Sequence, residues 1–169
     1  MRIRPDSWPA STARSHSTRC KRLAKAPKIV MADTGLAAHL QGVDASRFRD
    51  DRTQLGPLLE NFAVMELKKQ VAWSRRVPQL FHFRTSEGRE VDLVLEDASG
   101  RLVGIEIKAA SSVGPDDAKG LRFLADLAPR RLHRGVVLYA DDEIVPFGAK
   151  LHAVPMRALW EWKAVHPHG

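Results

Sequence analysis

Two carboxylates and a lysine carry the chemistry this sequence offers: Asp92 in REVDLVLE, and Glu106 and Lys108 in IEIKAA. The stretch from Arg89 to Ala110 reads as a β-hairpin. Val91, Leu93 and Leu95 alternate with Asp92, Val94 and Glu96, an Asp-Ala-Ser-Gly turn follows, and alternation resumes from Leu102 to Ala109. Residues two apart on a strand share a face, so Glu106 and Lys108 project together, opposite Val103, Ile105 and Ile107. A short connection makes the strands antiparallel neighbours and brings Asp92, at the open end of the first, toward Glu106 and Lys108 on the second. Such a cluster suits a hard divalent cation, Mg²⁺ or Mn²⁺, which takes carboxylate oxygens and keeps several waters. A metal there would polarise a phosphoryl oxygen and acidify a bound water, which is what phosphodiester hydrolysis requires. The same spacing equally describes a solvated ion pair on the outer face of a half-exposed sheet, which contributes little to stability.

The elements that must position these residues follow from the rest of the chain. With 169 residues and 44% hydrophobic content, the length suits one domain with a real core. The single cysteine, Cys20, excludes an intramolecular disulfide and a cysteine-based zinc cluster. It fits a reducing compartment, and a cytoplasmic location is expected. No apolar run approaches a membrane span, and no apolar segment follows the basic start as in a secretory signal. The net charge of +7 is unevenly placed. Eight basic residues, Arg2 to Lys28, precede Asp33 against the single acid Asp6, whereas basic and acidic residues balance from Asp33 onward. The basic pI therefore belongs to the N-terminal segment and supports only loose attraction to phosphate there.

Residues 1–26 are expected to be a basic, disordered segment, 27–163 the folded domain, and 164–169 a frayed tail. Arg19 to Lys28 reads as either a phosphate-contacting arm or a solvated linker. Asp33-Thr34-Gly35 starts a short helix, with Asp33 as its cap. Gly56-Pro57 opens a helix to about Trp73, with Leu58, Phe62 and Met65 on its buried stripe, widened by Leu59 and Ala63, and Glu60 beside that face. A carboxylate so placed needs a cationic partner, from lysine, arginine or a metal. Strands are expected at 79–85, 91–95, 102–108, 134–140 and 149–154, with a helix from Pro115 to Ala128 and a short one after Pro155. The three acids at 141–143 read as a solvated turn.

Set side by side, Glu60 on a helix, Asp92 and Glu106-Ile107-Lys108 resemble the PD-(D/E)xK restriction-endonuclease-like superfamily. That resemblance implies a single α/β domain with an αβββαβ core and a mixed central sheet. KRLAKAPKIVMADTGL, LGPLLENFAVMELKKQ and REVDLVLE through IEIKAA further resemble the C-terminal domain of prokaryotic AAA-type ATP-binding proteins, the domain of unknown function 4143. The sequence differs from the superfamily pattern in having Val91 where a proline precedes the acid. It holds no GxxxxGK[ST] loop, so by the family's usual plan it is expected to be a piece cut from an ATPase protein, with Met1 to Thr18 an unrelated start.

The resemblance implies Asp92 and Glu106 as metal ligands, with Glu60 a third acid directly or through water. Lys108 is then the residue that holds the attacking water or offsets charge at the phosphoryl group. Arg84 and Arg89 could touch phosphate or serve as ordinary hairpin charges. Two functions remain open: a Mg²⁺- or Mn²⁺-dependent DNA nuclease, and a non-catalytic DNA-binding or interaction module for an AAA-type ATPase partner.

Overall fold

A computed structural model describes residues 28–44, 46–47 and 55–161. Helix α1 (Thr34–Leu40) begins where the Asp33 carboxylate accepts the Leu36 N–H at 2.8 Å, satisfying one of the amides that a first helical turn leaves without a partner. Helix α2 (Leu55–Trp73) follows, with Pro57 in its first turn, where no amide N–H is required. Three strands come next, β1 (Gln79–Arg84), β2 (Glu90–Glu96) and β3 (Leu102–Ile107). A single 3₁₀ turn (Pro115–Ala118) leads into α3 (Lys119–Leu127), then β4 (Leu132–Tyr139), β5 (Val145–Pro146) and β6 (Leu151–Pro155). These elements form the expected α/β domain.

The six strands form one mixed sheet in the order β1-β2-β3-β4-β6-β5. The β1-β2-β3 meander is antiparallel, β4 and β6 join it in parallel, and β5 closes the far edge antiparallel. Its two faces bury against different helices. On one, Ala63, Val64 and Leu67 of α2 pack on Leu93, Ile105, Ile107 and Leu138. On the other, Leu121 and Leu124 of α3 pack with Val91, Leu102, Val137 and Leu151. Burial of apolar surface on both faces is the main source of stability here, at about 25 cal/mol per Å² removed from water. Gly104 sets how close α3 comes: a Cβ there would lie 2.7 Å from Leu121 Cδ2 and 2.9 Å from Leu124 Cδ2.

The structure departs from the sequence reading in several places. The buried stripe of α2 is Leu58, Ala63, Val64 and Leu67, while Phe62 is 37% exposed and leans against Trp160 with ring centroids 5.6 Å apart. The smaller side chains let α2 lie close on the sheet. Val91 and Leu93 do not share a face. Phe81 pairs with Val94 and Phe83 with Val91, so three steps of β2 oppose two of β1, and the bulge at Asp92 and Leu93 turns Val91 to α3 and Leu93 to α2. The helix expected from Pro115 opens as a 3₁₀ turn and becomes α-helical at Lys119. Strand β4, where the apolar run of 134–140 suggests a fully buried strand, is exposed at its start, at His133 and Arg134. Residues 1–27, 45, 48–54 and 162–169 lie outside the described residues, and with them the expected N-terminal segment and frayed tail. Among the described residues, no helix is long and apolar enough to cross a membrane.

Candidate active site

The bulge that flips the side-chain pattern of β2 also sets the site. Asp92 stands one step beyond the Leu93–Ile105 pair of the β2–β3 ladder, opposite Glu106. Its Oδ2 accepts the Ile107 N–H at 2.9 Å, so a side chain takes the place of a strand carbonyl at the open end of the hairpin. Asp92 and Glu106 are both buried, at 9% and 7% exposure, which rules out the solvated pair as the state of Glu106. Lys108 follows the end of β3, its N–H donating to Leu138 O at 2.8 Å, and is half-buried at the same cleft.

Glu106 is covered by α3. A Cβ on Gly120 would collide with both the Glu90 carbonyl oxygen and the Glu106 carboxylate, so only glycine lets the first turn of α3 seat over β2 and β3 here. Burial under that helix pushes the Glu106 carboxyl up to about 8, reinforced by the negative charge of Asp92 and opposed by Lys108. Two carboxyl groups in contact cannot both ionise cheaply, and the more buried one keeps its proton.

Glu60 reaches the cleft from α2 and pairs with Lys28, whose Nζ also lies 3.2 Å from Asp92 Oδ1 and 3.4 Å from Glu90 Oε1. Burial works against the Lys28 charge, but Glu60 and Asp92 outweigh it and hold its pKa above the usual lysine value. Burial raises Glu60, with Asp92 and Glu90 adding to it against the pull of Lys28. Behind this cluster, His82 is buried with Nε2 3.3 Å from Glu90 Oε1 and Nδ1 3.4 Å from the Asp92 carbonyl oxygen. Burial and the nearby Lys28 lower its pKa, so the ring is neutral at pH 7 and has one N–H to donate to one of these two oxygens.

The structure therefore brings Glu60, Asp92, Glu106 and Lys108 to the walls of a single open cleft of about 880 Å³. Arg89, Lys119 and Arg122 stand on its rim. Arg89 lies over the Phe123 ring, 4.6 Å from its centroid, and Arg84 is held 3.4 Å from Glu90 Oε2. Sequence reasoning missed Lys28, Glu90 and His82. Lys28 was assigned to an arm or solvated linker, but its ammonium is drawn into the site because three carboxylates converge on it. The signal was Glu60, an acid beside an apolar face that needed a cation. The donor chemistry fits a hard divalent cation, since every candidate ligand is a carboxylate oxygen. Among the described residues, however, no three side chains stand arranged to hold a metal as they are.

A mixed sheet covered on both faces, with a buried carboxyl pair and a lysine where the central hairpin opens, defines an α/β domain with an acid-and-lysine cleft. Residues 55–159 match the family described as "Domain of unknown function (DUF4143)", and the chain belongs to that family. It is 33% identical over 136 residues to the uncharacterized protein Mb2031c of Mycobacterium bovis and, to the same extent, to the uncharacterized protein Rv2008c of Mycobacterium tuberculosis. The match covers 80% of this chain and 29% of each relative. The matched region is therefore under a third of the length of those proteins.

Proposed function

We propose that this domain hydrolyses phosphodiester bonds in DNA with Mg²⁺ or Mn²⁺, as a member of the PD-(D/E)xK superfamily. The observation that carries the reading is the convergence of the buried Asp92 and Glu106 carboxyls with Lys108 on one open cleft. Asp92, Glu106 and Glu60 are the residues that would hold the cation, which when bound would supply Lewis-acid polarisation of the phosphoryl group and a more acidic water. Asp92 is oriented through Oδ2 by the Ile107 N–H, and its other oxygen, Oδ1, faces the Lys28 ammonium at 3.2 Å, so that oxygen becomes available to a cation only when the lysine gives way. Glu106 must lose its proton before it can ligate, which makes the uptake of metal pH-dependent. Lys108 offsets negative charge where the phosphoryl group reacts and orients the attacking water. Arg89, Lys119 and Arg122 line the cleft together with Asp116, Asp117 and Asp126, and Lys119 is paired with Asp116 at 3.1 Å, so a phosphate backbone would be met by Arg89 and Arg122 individually rather than by a positive rim.

The second reading is a non-catalytic module that binds DNA or an AAA-type ATPase partner in the cytoplasm. The ion cluster of Lys28 with Glu60, Glu90 and Asp92 favours it, because a lysine that neutralises the acids can serve structure alone. Incubation with duplex, single-stranded and branched DNA separates the two. Cleavage that requires Mg²⁺ or Mn²⁺ and disappears in Asp92→Asn supports the nuclease. No metal-dependent cleavage on any of these substrates, together with capture of an ATPase, supports the module.

A further inference from the structure

We propose that Lys28 is a tethered counter-ion of the site and that a divalent cation enters only by expelling its ammonium from the carboxylates. This rests on the metal-binding reading above and adds the residue that competes with the metal. Lys28 Nζ pairs with Glu60 from α2, and lies 3.2 Å from Asp92 and 3.4 Å from Glu90 on β2. An ammonium group has three N–H donors, and here three carboxylates from two elements surround it. Two of the three, Glu60 and Asp92, are the acids proposed to hold the metal. The same oxygens cannot coordinate a hard cation at bonding distance while they are ion-paired with a lysine, so occupancy is exclusive.

Two physical features make the exchange feasible. The lysine charge sits at the end of a flexible four-carbon stem, so the ammonium can withdraw toward water while the stem stays packed. Its side chain is 20% exposed, so the ammonium is not sealed from water. Lys28 also offsets the repulsion among Glu60, Glu90 and Asp92, which would otherwise be closely spaced like charges in a partly buried site. The lysine thus stabilises the metal-free domain and weakens metal binding through one set of contacts.

Isothermal calorimetry with Mn²⁺ on the full chain tests this by comparing wild type with Lys28→Met. The variant is expected to bind Mn²⁺ about tenfold more tightly, the factor that corresponds to about 1.4 kcal/mol of displaced ion pairing. In wild type, the Lys28 ε-CH₂ resonances, followed by NMR during Mg²⁺ titration, are expected to move to free-lysine positions in step with binding. This second measurement decides the matter even where Lys28→Met fails to fold. Equal affinities in the two proteins, or Lys28 resonances that stay in place at saturating Mg²⁺, would overturn the inference and leave the metal reading standing. Absence of Mg²⁺ and Mn²⁺ uptake in both proteins would overturn both.

Discussion

Asp92 Oδ2 accepts the backbone N–H of Ile107 at 2.9 Å, so the acid that opens the site is also the group that closes the β2–β3 hairpin. Removing the carboxylate leaves a buried amide without its acceptor, which costs on the order of 1–3 kcal/mol. Asp92→Ala is therefore expected to lower the urea midpoint clearly. Asp92→Asn keeps a carbonyl oxygen for Ile107 and should lose less stability, while its loss of charge should still abolish metal uptake by calorimetry. Equal destabilisation by both substitutions would mean that the Ile107 bond contributes nothing.

That dual role bears on how much could be read from the sequence. The hairpin, its partner strands and the convergence of Asp92 with Glu106 follow from period-two alternation and a short turn, which are local signals. The bulge at Asp92 and Leu93 is not local: it arises because β1 and β2 must each keep apolar residues on the correct helix, and only pairing of Phe81 with Val94 and Phe83 with Val91 does so. Lys28 was hidden for a similar reason. Its immediate neighbours, Pro27 and Ile29 to Met31, carry no charge, and its partners lie 32 to 64 residues away, so no window on the chain shows three carboxylates around it. The stripe on α2 was right for Leu58 and Ala63 but misled at Phe62, which has the right period and hydrophobicity, while contact with the sheet selected the smaller Val64 beside Ala63.

Stability should depend on pH through Glu106. In the folded chain its carboxyl holds a proton up to about pH 8, against an ordinary value of 4.5. Between those values the folded state binds more protons than the unfolded one, so stability falls as pH rises through the window and levels off above about 8. Glu106→Gln cannot ionise and should flatten that slope, with a gain on the order of 2 kcal/mol at pH 8.5 and little at pH 4. Thermal melts at both pH values check it, and a parallel pH dependence in the two proteins would refute the assignment.

Gly120 supplies a test of the α3 contact. Glycine inside a helix ordinarily costs roughly 1 kcal/mol relative to alanine, so a permissive site would be stabilised by Gly120→Ala. Here the added Cβ would collide with the Glu90 carbonyl oxygen and the Glu106 carboxylate, one of which is backbone and cannot swing aside. The substitution is expected to destabilise the domain by roughly 1–3 kcal/mol, the usual range for overpacking. The sign alone decides, in a single urea titration.

Lys108 distinguishes chemistry from binding most directly, because it faces the same cleft as the carboxylates yet is not among the proposed metal ligands. Its role is to stabilise charge that develops in the transition state, so Lys108→Ala should reduce metal-dependent cleavage by about 10²–10³-fold. DNA binding should change by no more than about threefold, since one phosphate-facing charge among several contributes modestly. The substitution carries a second signature. Lys108 pulls the Glu106 carboxyl down against burial and Asp92, so its removal should raise that group further. The pH at which Mg²⁺ uptake reaches half its plateau should therefore move upward in Lys108→Ala, because Glu106 must deprotonate to ligate. A calorimetric pH series measures this without any turnover. A lysine that served only to solvate the end of β3 would leave both the cleavage rate and that midpoint unchanged.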